Sequence, residues 1–199
     1  MKERTMSKAE QTKQFIIEKT APIFNMKGYA GTSLSDMTEA TGLTKGSIYG
    51  NFEDKDAVAL AAFDYNARKV QDIMKQEMDK CDTMRDKLLK YVDVYENYDK
   101  YPFPKGGCPL MNTAVDADDT HPLLKARVSA VLAGIKERLH GVLDEGVRRG
   151  EFKKDLNTEQ MALNIMATIE GCVMISKACG KQRERQLILR SVADMIRTL

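Results

Sequence analysis

Residues 32–56, TSLSDMTEATGLTKGSIYGNFEDKD, decide the fold because they encode two short helices joined by a tight turn. Ser33 and Asp36 have the spacing of a capping box, which predicts a first helix from about residue 33 to residue 40. Gly42 follows this helix and can adopt the left-handed backbone conformation that closes a helix at little cost. Thr44 is placed to cap a second helix. The segment therefore predicts a helix-turn-helix.

The second of these helices has one apolar face and one outer face. Ile48 and Phe52 are four residues apart, so they lie on the same side and are expected to be buried. The opposite side carries small, hydroxyl, amide and cationic residues, which suit the major groove of DNA. These outward residues are Lys45, Gly46, Ser47, Tyr49 and Asn51. The alternatives are an ordinary helical hairpin and, for Tyr49, a role as a core aromatic residue.

Composition and charge set the class of protein. The chain has 199 residues, of which 43% are hydrophobic and 30% charged, as in globular domains. No run approaches the roughly 20 apolar residues of a membrane span, and the N-terminus has no apolar signal-peptide core. We therefore expect a cytoplasmic protein with no membrane segment. The net charge is only +2, so DNA binding must depend on where the charges lie and not on their sum.

The remaining chain shows helical spacing of apolar residues and no alternation typical of strands. Helices are predicted at about 7–27, with a kink at Pro22, and then at 55–80, 83–98, 110–116, 158–179 and 181–198. Another long helix is expected to start at a cap formed by Asp119 or Thr120 and to end near Gly150. The segment 98–109 contains three prolines and two glycines, so it is expected to be irregular. We predict an all-α fold with a helix-turn-helix DNA-binding domain at residues 1–54. A larger helical ligand-binding and dimerisation domain is predicted at residues 55–199.

With these features in view, the sequence resembles the TetR family of transcriptional regulators over about residues 10–60. The resemblance rests on Gly28-Tyr29, Thr32-Ser33-Leu34, Thr41-Gly42-Leu43, Lys45-Gly46-Ser47-Ile48-Tyr49 and Phe52-Glu53-Asp54-Lys55. It implies a repressor that binds a palindromic operator as a homodimer and pairs through its last two helices. It also implies release from double-stranded operator DNA when a small-molecule inducer enters the larger domain.

The resemblance assigns DNA contacts residue by residue. Lys45 can reach a guanine edge or a phosphate, and Lys55 occupies the phosphate-binding lysine position of the family. Asn51 and Gly50 depart from the family pattern, so the operator sequence is not predicted. The expected DNA-binding residues are Ser33, Thr44, Lys45, Gly46, Ser47, Tyr49, Asn51 and Lys55.

Candidate ligand-binding residues are methionines of the larger domain and residues flanking its irregular segments. Methionine adapts to varied apolar ligands, although at helical spacing it also forms ordinary core. The candidates are Met74, Met78, Tyr95, Phe103, Met111, Asn112, His121 and Met166.

Two further hypotheses remain open at this point. Cys108 lies in a Gly/Pro segment and is expected to be exposed, so a thiol-sensing repressor is an alternative. Cys172 and Cys179 lie about 10 Å apart along one helix, beyond disulfide reach within it, but could bridge two subunits. A helical small-molecule enzyme or an adaptor is the other rival class. The sequence offers it no catalytic motif, and we expect no cofactor and no metal.

Overall fold

The computed structural model describes residues 6–180 and 182–199, and within these residues the protein is all-α, as predicted. The α-helices are α1 (Lys8–Gly31), α2 (Leu34–Thr41), α3 (Lys45–Tyr49), α4 (Lys55–Met78), α5 (Met84–Glu96), α6 (Pro109–Ala117), α7 (Pro122–Arg148), α8 (Thr158–Cys179) and α9 (Gln182–Arg197). A 3-10 turn, Tyr98–Lys100, interrupts the irregular segment after α5. Residue 181, where the last helix was predicted to begin, lies outside the described residues.

Local capping signals explain most helix starts. The Ser33 hydroxyl accepts a bond from the Asp36 amide, and the Thr44 hydroxyl accepts one from the Ser47 amide. Asp54 has the same role at the start of α4, because its carboxylate accepts from the amide of Ala57. The predicted cap of α7 was wrong. His121 takes this role instead of Asp119 or Thr120, because its Nδ1 accepts the backbone N–H of Leu124 at 3.3 Å.

The backbone of α1 breaks at Gly28 and not at Pro22. Gly28 has φ 72° and ψ 177°, a combination that is almost restricted to glycine, whereas the torsion angles at Pro22 stay helical. The ordered helix therefore ends near residue 27, as the sequence predicts. The chain then turns through Tyr29 into α2.

The chain divides into two compact units. Unit 1 comprises the described residues up to Arg68 together with Pro104–Val128, and unit 2 comprises Lys69–Phe103 and the described residues from Ser129 to Leu199. Unit 1 therefore contains α1 to α3, α6 and the first turns of α4 and α7. In this unit α6 packs against α1. The domain boundary predicted from the sequence, between residues 54 and 55, does not coincide with this division. The assignment of DNA binding to residues 1–54 and of ligand binding to residues 55–199 stays a prediction.

Unit 2 has a continuous apolar core. Leu88, Leu139, Leu143, Ile165 and Leu189 are almost completely buried in it. α9 packs against both α5 and α8. These contacts join helices that are distant in sequence.

Arg85 closes the end of unit 2 at which α9 stops. Its Nη1 donates to the carbonyls of Ile196 and Arg197 at 2.7 and 2.9 Å, and its guanidinium lies 5.1 Å from the ring centroid of Phe152. A cation at the end of a helix satisfies free carbonyls and complements the helix dipole.

α8 differs from the other described helices in being apolar over most of its length. By length and composition alone its 22 residues could cross a membrane, so the expectation that no run of the chain approaches such a span was wrong here. Only 22% of its most apolar window is buried within this chain. Ala162, Ile165, Ile169 and Cys172 face the core, while Leu163 and Met174 are 43% and 54% exposed. This helix therefore leaves an apolar face uncovered.

Candidate nucleic-acid interface

The second helix of the helix-turn-helix, α3, has a buried side and an exposed side, but it ends at Tyr49, so Asn51 and Phe52 lie just beyond it. Ile48 is completely buried and Phe52 is 5% exposed, so they anchor the helix to unit 1. Thr44, Lys45 and Gly46 are exposed at the start of the helix, and Tyr49 is half-buried. The buried stripe fixes the orientation of α3, which leaves its first turn free to contact a partner.

Not every predicted contact residue of α3 is equally available. The Asn51 side-chain amide donates to the Ser47 carbonyl at 2.9 Å and so closes the end of the helix. Gly46 has open surroundings, because an added Cβ would meet only the Thr44 hydroxyl at 4.0 Å. Nothing inside the protein requires glycine at this position, so its small size matters only to a molecule approaching from outside.

The N-terminus of α2 already carries a carboxylate from its own chain. Asp36 accepts bonds from the backbone amide and the hydroxyl of Ser33, both at 2.8 Å. The ammonium of Lys27 lies 2.6 Å from the other oxygen of Asp36. The Lys27 ammonium, followed by the Ser33 bonds, holds the pKa of Asp36 far below its usual range. Lys27 thus places an exposed positive charge beside Ser33, a feature that the sequence does not reveal because the pair forms between two helices.

Lys55 is positioned by an aromatic ring. Its ammonium lies 4.2 Å from the centroid of the Tyr29 ring, within the range of a cation–π interaction. The Tyr29 hydroxyl donates to Asp56 Oδ1, and this bond, with a smaller effect of burial, raises the pKa of Tyr29 to about 12. His121 packs edge-on against the Tyr29 ring, with centroids 4.3 Å apart. We call Tyr29, Lys55, Asp56 and His121 the Tyr29 cluster.

A second set of polar contacts fixes α1 against α6 and the loop that precedes it. The buried Asn25 amide donates to the carbonyls of Lys105 and Gly107, at 2.6 and 3.0 Å. Asn112 in turn donates to the Asn25 carbonyl at 3.0 Å. These bonds orient α1, and α1 carries Tyr29 at its end.

Asp116 of α6 completes this attachment at the break in α1. Its Oδ2 accepts the backbone N–H of Tyr29 at 2.6 Å. A Cβ added to Gly28 would lie 2.7 Å from the other carboxylate oxygen. Gly28 is therefore required both for its backbone conformation and for the close approach of Asp116. A small cleft beside these residues has room for about one water molecule, which is too small for an inducer.

The predicted ligand-binding residues fall into both units. Met74, Met78 and Tyr95 are buried in the core of unit 2, with Phe103 and Met166 packed against it. Met111, Asn112 and His121 belong instead to unit 1. Asn112 and His121 also take part in the contacts described above, which hold α1 and the start of α7. No described contact tests ligand binding by any of the eight residues, which remain predictions.

Two of the three cysteines considered for a thiol sensor are buried. Cys108 is buried, with 9% of its surface exposed, so the expectation of an exposed thiol was wrong; Pro109 and Leu110, also buried, continue from it into α6. Cys172 is 2% exposed, and burial raises the pKa of its thiol. Of these three, Cys179 is exposed. Within the described residues there is also no group of three or more His, Cys, Asp or Glu side chains able to hold a metal ion.

Two sequence models of known families match this chain. The model described as bacterial regulatory proteins of the tetR family matches residues 16–62. The model described as a tetracyclin repressor-like C-terminal domain matches residues 85–192, which is more than half of the chain. The first match covers the whole helix-turn-helix, and the second lies mostly in unit 2.

Individual proteins agree with these matches over nearly the whole chain. The crystal structure of a TetR-family transcriptional regulator from Cytophaga hutchinsonii is 44% identical, covers 97% of this chain and 96% of its own, and has a TM-score of 0.94. The HTH-type transcriptional regulator TtgR of Pseudomonas putida is 27% identical over 180 residues, covering 87% of this chain and 83% of its own. The HTH-type transcriptional repressor DhaR of a Mycobacterium species is 22% identical over 169 residues, covering 83% and 82%.

Proposed function

Because the chain belongs to the TetR family of transcriptional regulators, we propose that it is a repressor that binds a palindromic operator as a homodimer and is released by a small-molecule inducer. That it is a DNA-binding regulator follows from the family. Repression, the homodimer and the inducer are our proposal, and the name of its relative DhaR as a repressor supports the first of these. The observation that carries the proposal is the exposed first turn of α3 on a buried Ile48 and Phe52.

We assign α3 to the major groove. Lys45 would contact a guanine edge or a phosphate, while the hydroxyls of Thr44, Ser47 and Tyr49 would donate to the DNA backbone. Ser33 and Lys55 would contact phosphates on either side of the groove. Asn51 would contribute mainly by closing α3, because its amide is already bonded to Ser47.

The uncovered apolar face of α8 supports the proposed homodimer. Leu163, Met174 and Ile175 of α8 and Leu187 of α9 are between 36% and 58% exposed. Burial of such side chains against a second copy would add roughly 25 cal/mol for each Å² removed from water. A dimer also explains how two copies of α3 could enter successive major grooves about 34–36 Å apart.

The ligand is proposed to bind in unit 2, where the core contains methionine and tyrosine side chains. Met74, Met78, Tyr95, Phe103 and Met166 are the proposed lining residues. Soft, flexible methionines favour an apolar ligand and can repack around it. Since operator DNA is the partner, we place the protein in the cytoplasm. The family is one of regulators, which favours this function over an enzyme or an adaptor.

The test is a gel shift with the DNA upstream of the gene that encodes the protein. We expect a complex with a palindromic duplex that weakens steeply as salt is added. Tyr49→Ala combined with Lys55→Ala should weaken the complex without changing the helical circular dichroism spectrum. Lys75→Ala, which removes an exposed lysine of unit 2, is the matched control and should have no effect.

Unchanged affinity of the Tyr49→Ala, Lys55→Ala variant would overturn the assigned contacts. Failure of the wild-type protein to bind any fragment of a genomic library would overturn the function. Sedimentation of Leu187→Glu should show monomers if the uncovered face forms the dimer.

A further inference from the structure

We infer that Tyr29, Asp56 and His121 are positioning residues for operator binding, which hold the Lys55 ammonium where it meets a DNA phosphate. The inference rests on the proposed function, since it assumes that Lys55 contacts the operator. It adds three residues that no DNA-contact assignment includes. All members of the Tyr29 cluster lie in unit 1.

The Lys55 charge is available and also restrained. No ion pair or hydrogen bond of Lys55 is found in the part of the chain that the structure describes, so no carboxylate there neutralises it. Its only described interaction is with the Tyr29 ring, at 4.2 Å from the centroid. A free lysine side chain loses much rotational freedom when it binds. A ring that already restricts the ammonium lowers this cost.

Two other residues of the Tyr29 cluster, Asp56 and His121, hold the Tyr29 side chain in place. Its hydroxyl donates to Asp56, in the first turn of the same helix as Lys55. The His121 ring packs against it at an interplanar angle of 83°. These two contacts fix the position of the Tyr29 ring relative to the start of α4. The contact between Lys55 and the ring would not fix it alone.

The bond from Leu124 decides which tautomer a neutral His121 ring adopts. Its Nδ1 accepts the Leu124 amide, so in the neutral imidazole the proton is on Nε2. Nε2 is buried, has no hydrogen-bond partner and lies 3.5 Å from the Asp56 oxygen that Tyr29 also contacts. A small approach of these two groups would complete a hydrogen bond. Asp56 is therefore the acceptor that lies nearest to hand for this buried donor. Through Asp56 and Tyr29, His121 connects the start of α7 to Lys55.

The experiment is a double-mutant cycle on the palindromic duplex, measured by fluorescence anisotropy over a series of salt concentrations. Lys55→Met should lower the slope of log affinity against log salt by about 0.9 per subunit, or about 1.8 for the dimer, because each lost phosphate contact removes that amount. Tyr29→Leu should weaken binding about two- to fivefold per subunit, the range of a cation–π interaction, or about five- to thirtyfold for the dimer, and should lower the slope in the same direction. In the Lys55→Met background, Tyr29→Leu should have no further effect.

His121→Asn separates positioning from capping. Asparagine can still cap α7, but it removes the ring that packs against Tyr29. We expect binding to weaken about twofold with a reduced salt slope, again only when Lys55 is present. His140→Asn is the matched control, since His140 also faces an acid, Asp144, but lies in unit 2. Circular dichroism melts of every variant show whether the fold is retained. If Tyr29→Leu unfolds, the double-mutant cycle of His121→Asn with Lys55→Met tests the inference instead.

The outcomes distinguish this inference from the proposed function. If the wild-type protein binds no operator, both fall. If Lys55→Met weakens binding but Tyr29→Leu and His121→Asn leave affinity and slope unchanged, only the inference falls. It also falls if their effects are equally large with and without Lys55, because that result indicates a general loss of structure.

Discussion

Unit 1 and unit 2 differ in the kind of contact that stabilises the interior of each. Among the buried residues that the structure describes, the polar ones Thr20, Asn25, Thr32, Thr41, Asn66 and His121 lie in unit 1, whereas Arg185 alone lies in unit 2. The core of unit 2 consists mainly of leucine, isoleucine, valine, methionine and aromatic side chains, with Ala162 and Cys172. Hydrogen bonds are directional, so they specify one arrangement, while apolar packing tolerates several. We therefore predict that unit 1 tolerates substitution of its buried residues less well than unit 2.

The largest expected effect concerns the break in α1. Gly28→Ala should lower the free energy of unfolding by about 3 kcal/mol, because alanine is strained at φ 72° and its Cβ would meet the Asp116 carboxylate at 2.7 Å. Chemical denaturation followed by circular dichroism measures this change. Gly42→Ala is the matched control, since Gly42 also has a positive φ but no atom lies within 4 Å of an added Cβ. It should cost about 1 kcal/mol. Equal losses in the two variants would show that Asp116 does not restrict this site.

A pair of substitutions compares the two kinds of contact directly. Asn25→Leu should destabilise the protein by about 2 kcal/mol, because the carbonyls of Lys105 and Gly107 would lose their donor. Met74→Leu, at a buried position of unit 2, conserves volume and should cost less than about 1.5 kcal/mol. Urea denaturation of both variants gives the two values. If Met74→Leu is as costly as Asn25→Leu, the proposed difference in tolerance between the units is false.

A pH-dependent effect is expected in the alkaline range. The pKa of Tyr29 is raised to about 12, so the folded protein retains this proton at pH values where the unfolded chain loses it. The resulting stabilisation is fully present below pH 10, the ordinary tyrosine value, and is lost as the pH rises towards 12. Tyr29→Phe should therefore have a lower free energy of unfolding than the wild type below pH 10. This difference should shrink between pH 10 and pH 12.

Tyr101 in unit 2 provides the comparison for this titration. Its pKa is also raised, but the main cause is burial and not a hydrogen bond to a carboxylate. Absorbance of tyrosinate during an alkaline titration should show one late-ionising residue missing in Tyr29→Phe. If the titration curve of Tyr29→Phe differs from the wild type only by a residue that ionises near pH 10, the bond to Asp56 does not control Tyr29.

Much of the helix-turn-helix could be predicted because its signals are local. Ser33 and Thr44 accept bonds from amides three residues later, and Gly42 ends α2 in the left-handed conformation. Ile48 is buried because the helical repeat places it on the inner face of α3. Asn51 is the exception, since the same local geometry that exposes it also lets its amide bond to Ser47.

The long-range features were not predictable in the same way. The irregular segment suggested an exposed Cys108, yet the thiol is buried where α6 begins. His121 and Asn112 were assigned to a ligand entrance because they flank irregular chain. The structure shows that these residues also contact α1 and α4, which no local pattern encodes, and the ligand assignment stays a prediction.

The sequence by itself determined the all-α fold, the position of the helix-turn-helix and the exposed turn of α3, because caps, glycines and helical spacing act over three to five residues. Only the tertiary structure decided that α6 is fastened to α1 and that Tyr29 supports Lys55. The bonds of Asn25 and Tyr29 to α6 and its loop join residues 80 to 87 positions apart. Such contacts exist only once the helices have packed, since packing alone brings these donors and acceptors together.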